Sequence, residues 1–144
     1  MSTTGARRPL EVVKAVYASH ERRDTPTLVD LLDADVEWFQ AESHPYAGDG
    51  PWRGSDEVVE HVANPINEDW DGFLTHVDEY IDAGDKIIVL GRYRGVYRAT
   101  GRAIDAQVCT IYTVCDGLIV RWQQYTDTAQ IRAAMTPDEE TTDA

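Results

Sequence analysis

The chain has 144 residues, a hydrophobic fraction of 42% and a formal net charge of -13, from 26 acids against 13 Lys and Arg. That length suits a single domain, read here over 1–144 with an ordered core at about 8–135, while the first few residues and the acidic tail 136–144 read as disordered. The charge repels phosphate backbones and anionic headgroups, and no apolar run approaches the ~20 residues of a membrane span, so nucleic acid and membranes are excluded as partners.

The opening "MSTTGARRPLEVV" lacks the apolar core of a secretion signal, and the expectation is a soluble, cytoplasmic protein. Leu10, Val13, Val16 and Tyr17 fall on one face of a helix that begins near Pro9, a residue suited to a first turn. Thr25 followed by Pro26 signals a second helix start, with Leu28, Leu31 and Leu32 as its apolar side. Asp35 to Gln40 reads as a strand. The segment "ESHPYAGDGPWRG" then combines four glycines and two prolines with a histidine, a tyrosine and a tryptophan, a loop composition carrying aromatics that prefer burial. Ser55 can cap a third helix, with Asp56 and Glu57 facing its dipole and Val58, Val59 and Val62 on its buried side.

Four extended runs follow, Phe73 to Asp82, Lys86 to Arg98, Ala103 to Val114 and Leu118 to Thr126, separated by Gly84-Asp85, Thr100-Gly101 and Asp116-Gly117. Helices followed by an antiparallel meander define an α+β fold. Strands this long must curl, giving a concave face for the helices to cover. Cys109 and Cys115 lie on one predicted strand roughly 20 Å apart, which excludes a bridge between them.

Register decides what the concave face carries. A two-residue turn at Asp116-Gly117 sets Trp122 opposite Ile111 and Gln124 opposite Cys109; a three-residue loop from Cys115 to Gly117 sets them opposite Thr110 and Val108. The second separates polar from apolar better, gathering Val108, Thr110, Tyr112, Val114, Leu118, Val120, Trp122 and Gln124 on one face. A two-residue turn at Thr100-Gly101 pairs Tyr93 with Val108 and Gly91 with Thr110, leaving Arg92, Arg94 and Arg98 on the other face for salt bridges or a subunit contact.

The strings "HPYAG" with "WRG", "YIDAGDKIIVLGRYRG" and "TVCDGLIVRWQQYTDT" resemble the SnoaL-like, ketosteroid-isomerase-related branch of the nuclear transport factor 2-like superfamily, over about Leu10 to Met135. The resemblance implies a cone-shaped curled antiparallel sheet wrapped around the N-terminal helices, a pocket opening into the cone, and a homodimer. The expected partner is a small apolar or polycyclic ligand, and with no Gly-rich phosphate loop, nucleophile elbow or metal motif in the sequence no cofactor or metal is expected. The last-strand acid of the family's epoxide hydrolases falls at Gln124, which cannot act as a base. The base of its isomerases falls at His44, the first-helix tyrosine near Val16, with Tyr17 on a different rotation, and the third group around Thr110.

The candidate catalytic residues are therefore His44 as a base titrating near neutrality, Tyr46 as a donor to an oxyanion, and Gln124 as a second donor. Trp38, Trp52, Tyr93, Thr110, Tyr112 and Trp122 are candidates to line the pocket. Each has a plainer alternative in core packing or a local hydrogen bond. Asp127 with Gln130 reads as a capping box, Glu57 with His61 as a solvated helix face, and His76 as outward-facing opposite Phe73, Val77 and Ile81. The two resulting readings are a cofactor-free isomerase or cyclase working by proton transfer on an apolar carbonyl compound, and a non-catalytic ligand-binding or dimerisation domain.

Overall fold

A computed structural model describes residues 7–137; the expected disorder at the N-terminus and in most of the tail falls outside that range. Two helices, α1 (Pro9–Arg22) and α2 (Thr25–Leu31), lead into β1 (Leu32–Phe39). A short β2 (Trp52–Arg53) and α3 (Gly54–Val58) follow, then a wide π-type turn (Val59–Ala63) and α4 (Asn64–Asp69). The wide turn sits where Pro65 has no N–H to offer the preceding helical turn. Strands β3 (Trp70–Asp82), β4 (Lys86–Tyr97), β5 (Arg102–Cys115) and β6 (Leu118–Thr126) come next, and α5 (Thr128–Met135) closes the described chain.

The six strands form one curled, unclosed sheet in the order β2-β1-β6-β5-β4-β3. The sheet is mixed and not purely antiparallel, because β1 runs parallel to β6. The parallel pairing sets Trp38 beside Trp122, and their indoles stack at 4.0 Å and 8°. A short β2 inside the Gly/Pro-rich segment escaped the sequence pattern because its two residues pair only through Glu37–Arg53 and Trp38–Trp52. Val12, Val13 and Val16 of α1 are fully buried against the concave face, over Ile87, Val89 and Ile119. A second core gathers Trp70, Tyr93, Ile104 and Ala106 beneath Ile131 and Ala134 of α5.

The hairpin registers depart from expectation in an instructive way. Asp116 and Gly117 both take left-handed backbone in a two-residue turn that pairs Cys115 with Leu118. A bulge beside Val120 then shifts the ladder, so that Tyr112 faces Trp122 and Thr110 faces Gln124. The register is thus two residues from the expected one. A shift of two preserves the face, and Trp122 and Gln124 still lie with Thr110 and Tyr112. Beyond the bulge the face inverts, and Ile119 is buried in place of Leu118 and Val120.

The β4–β5 loop has four residues, pairing Tyr97 with Arg102, Tyr93 with Ala106 and Gly91 with Val108. Arg92 and Arg94 both reach Asp105, at 2.6 and 3.3 Å, and Arg98 reaches Asp71 at 2.8 Å, so the arginine row is occupied by salt bridges. Bulges in β3 bring Phe73, Val77 and Tyr80 against the cores, and Ile81 faces outward at 36% exposure. His76 is exposed beside Asp78 at 3.4 Å. Helix caps also moved: Asp24 caps α2, and Ser55 lies inside α3, whose first N–H groups begin after Arg53. The Asp127 cap holds, its carboxylate accepting from Gln130 N at 3.1 Å. Both cysteines are free thiols.

A Cβ added at Gly91 would collide with the His76 carbonyl oxygen and come within 3.2 Å of the Val77 Cα. Those obstacles are backbone and cannot swing aside. Gly91→Ala is expected to lower stability by about 1–3 kcal/mol, read as a fall in the urea midpoint at unchanged m-value.

Candidate functional site

The segment between β1 and β2 is a chain of tight turns. His44 N donates to the Ala41 carbonyl at 3.0 Å, Ala47 N to His44 at 2.9 Å and Gly50 N to Ala47 at 2.9 Å. Gly48 has φ of 51°, and a Cβ there would press within 2.8 Å of the Trp52 ring, so the turn is matched to the indole beside it. Side chains tie the turns to the sheet. The Gln124 amide oxygen accepts from Ala41 N at 3.2 Å, Trp52 Nε1 donates to the Tyr46 carbonyl at 3.0 Å, and the Arg132 guanidinium of α5 donates to the Ser43 carbonyl.

This scaffold buries His44 to 5% exposure and places it in the wall of a cavity. The cavity lies between the concave sheet and the helices. It offers about 90 Å³ to the centres of water-sized molecules, within an envelope of about 860 Å³ that includes the open mouth. Several waters or one compact organic molecule fit that space. Trp38, Trp122, Tyr112, Phe73 and Leu28 supply its apolar surface.

The tautomer of His44 follows from its neighbour. Tyr46 N donates to His44 Nδ1 at 3.0 Å, so Nδ1 is an acceptor and the neutral ring carries its proton on Nε2. Burial, with a smaller contribution from the Arg132 charge, pushes its pKa down to about 4. At neutral pH the ring is therefore an uncharged donor through Nε2–H, whereas a base titrating near 7 was expected. Burial leaves no counter-charge to hold the imidazolium.

Tyr46 is not in the cavity wall. Its hydroxyl donates to Asp69 Oδ2 at 2.8 Å and accepts from Trp70 Nε1 at 3.1 Å. It staples the loop to the end of α4, and burial followed by the Asp69 bond raises its pKa far above the usual phenol value. Trp52 is likewise outside the cavity, stacked on His61 at 3.9 Å and 6°. Thr110 is buried behind the wall, within the influence of the Tyr93 hydroxyl.

Gln124 does reach the cavity, but both ends of its amide are engaged: Nε2 donates to the Tyr93 hydroxyl at 2.8 Å while Oε1 holds Ala41 N. Tyr93 accepts that bond and keeps its own proton to give. Burial pushes its pKa up to about 12, against a lowering by Gln124 and Thr110. The Tyr112 and Tyr17 hydroxyls share a hydrogen bond of 2.9 Å, and burial raises both phenols.

The wall also holds Tyr17 and His20, neither of them among the site candidates read from the sequence. Tyr17 faces the cavity and is not rotated away from it, and His20 sits edge-on to it at 6.0 Å and 83°. His20 makes no hydrogen bond through its ring among the described residues, and burial alone lowers its pKa to about 4. The available signal was spacing: Val13, Val16, Tyr17 and His20 continue one helical stripe, so the histidine stands where an apolar residue was due. Asp24 is the single carboxylate in the wall among the described residues, and both its oxygens are bound to Thr27, at 3.2 and 2.6 Å. No cluster of three His, Cys, Asp or Glu side chains able to hold a metal occurs among the described residues. No described helix is long and apolar enough to cross a membrane.

A curled sheet closed by helices over a polar-studded apolar pocket is the architecture of the nuclear transport factor 2-like fold. Within it, the chain belongs to the SnoaL-like domain family, whose profile matches residues 13–122. A nuclear transport factor 2-like protein from Burkholderia thailandensis is 36% identical, covers 91% of this chain and 99% of its own, and superposes with a TM-score of 0.85. TerC, co-crystallised with polyporic acid, shares the fold at 24% identity, covering 88% of this chain and 97% of its own with a TM-score of 0.76. A Catenulispora acidiphila protein of ketosteroid isomerase-like fold, in complex with trimethylamine, shares it at 15% identity, covering 90% and 95% with a TM-score of 0.75. A search of curated proteins finds no significant match.

Tyr46→Phe deletes two hydrogen bonds and leaves the fully buried Trp70 with an unpaired N–H. A loss of about 1–3 kcal/mol is expected in urea denaturation. The histidines predict a pH dependence. Unfolded, they titrate near 6.5, and folded near 4, so between these values the unfolded state binds more protons. Stability is complete above about pH 6.5 and falls as pH drops toward 4, by up to about 3 kcal/mol for buried His44. Urea midpoints measured from pH 7.5 to 4 should show this slope, and His44→Gln should reduce it to the part that His20 contributes.

Proposed function

We propose that the cavity binds a compact, largely apolar carbonyl compound and that the protein is a cofactor-free isomerase or cyclase acting on it by proton transfer. The observation that carries this reading is the Tyr46 N–H bond to His44 Nδ1, which leaves Nε2–H as a neutral donor in an apolar wall. A neutral imidazole is suited to polarise a carbonyl without itself needing to be charged. Tyr17 and Tyr93 supply further hydroxyl donors to the same space.

The proton acceptor in this scheme is His20, whose ring has no hydrogen-bond partner among the described residues, rather than His44. A proton on the carbon beside the carbonyl passes to the free imidazole nitrogen, and the electron pair moves onto the oxygen held by His44. The imidazolium then returns the proton to another carbon, or the enolate carbon closes a ring and the proton returns to the new oxygen. Gln124 acts as a positioning residue, through Tyr93 and Ala41. The low basicity of both histidines and the engaged Asp24 carboxylate favour, as the second reading, a pocket that binds its ligand without turnover.

The test is exchange of the α-protons of 1-tetralone in D2O, followed by proton NMR alongside a binding isotherm. Acceleration by the wild type is expected, falling by about 10²–10⁴ in His20→Gln and about 10²–10³ in His44→Gln. Binding of 1-tetralone without acceleration overturns the catalytic reading in favour of the binding one.

A further inference from the structure

The junction between α1 and α2 is built around an arginine in an uncommon backbone state. Arg23 follows the last residue of α1 with φ of 54° and ψ of 41°, the left-handed position that glycine usually fills at a helix end. Its N–H donates to the His20 carbonyl at 3.0 Å and Asp24 N donates to the Ser19 carbonyl at 2.9 Å, the paired bonds that lock such an ending. A side chain held at a sterically disfavoured position in a cavity wall invites a functional explanation.

Four consecutive facts of charge point to one. Arg23 lines the cavity while remaining exposed, which places it at the mouth. It is the single Lys or Arg in the wall among the described residues. Its guanidinium makes no ion pair or hydrogen bond there, although the chain carries twice as many acids as Lys and Arg, 26 to 13. The acid next to it is already taken, since Asp24 binds Thr27 and lies 3.6 Å from Arg22. With Asp24 held by Thr27 and Arg22, the Arg23 guanidinium is left as a cation free to pair at the entrance of a strongly negative protein.

We infer that Arg23 recognises an anionic group, a carboxylate in the first instance, on the ligand whose apolar body enters the cavity. The inference rests on the pocket reading above and narrows its ligand class, from an apolar carbonyl compound to one that also bears a negative charge at the end left toward solvent. Arginine presents a planar fork matched to carboxylate geometry, so the contact orients the ligand as well as holding it. It also offsets the repulsion that a net charge of -13 imposes on any approaching anion.

The test uses 1-naphthoate and methyl 1-naphthoate, two probes of similar shape that differ in charge, measured by isothermal titration calorimetry at low salt. The wild type should bind the acid about three- to tenfold tighter than the ester. Arg23→Gln should remove that preference, Arg23→Lys should keep part of it, and 0.5 M salt, with a screening length of about 4 Å, should shrink it in the wild type. Equal binding of the two probes by the wild type, or a preference that survives in Arg23→Gln, overturns the assignment while leaving the pocket reading intact. Binding of neither probe overturns the pocket reading, and the assignment with it.

Discussion

The site depends on one buried amide. Gln124 stands on β6 with 4% of its surface exposed, beside the rings of Trp38, Trp122, Tyr93 and Tyr112 in the cavity wall. A primary amide in that setting must find partners for both ends or cost the fold the full price of desolvation. Its oxygen takes the N–H of Ala41, where the chain leaves β1, and its nitrogen takes the hydroxyl of Tyr93 on β4. One side chain thereby fixes the start of the loop relative to two strands. Three residues beyond Ala41, the first turn of that loop delivers His44 into the cavity.

From that anchor the loop's aromatics divide into those that hold and those that face inward. Tyr46, Trp52 and Trp70 bind one another's polar atoms and form the outer fastening. His44, with Trp38 and Trp122 stacked nearby, forms the inner surface. The same Tyr46 contributes on both sides, since its hydroxyl fastens the loop while its backbone N–H sets the His44 tautomer. The result is a wall with neutral donors and almost no fixed charge, in a protein whose surface is strongly acidic. Low local polarity strengthens every hydrogen bond that a ligand oxygen could make there.

Much of the fold was legible in the chain because it is written in short-range signals. The hairpin dipeptides located all four long strands, and Leu118–Thr126 was bounded to the residue. The face carrying Thr110, Tyr112, Trp122 and Gln124 came out correctly even though both registers were two residues off. Alternation has a period of two, so an even error in register leaves each side chain on its face. What the alternation could not show was the bulge at Val120, which inverts the face beyond it, or the parallel pairing of β1 with β6, which brings together residues more than eighty positions apart.

By itself, then, the sequence determined the α+β class, the strand positions, the Asp127 cap and the aromatic character of the pocket, all properties of local pattern and period. Only the tertiary structure decided which side chains share the cavity and what each does there. His44 became a donor because a backbone N–H two residues on occupies its Nδ1. Tyr46 became a staple because Asp69 and Trp70 lie within reach of its hydroxyl. Tyr17 and His20 joined the wall because α1 is laid across the concave sheet with that stripe toward Tyr112. The physical reason is common to all of them: a hydrogen-bonding role and a protonation state belong to a neighbourhood, and neighbourhoods at long chain separation are created only when the sheet curls and the helices close over it.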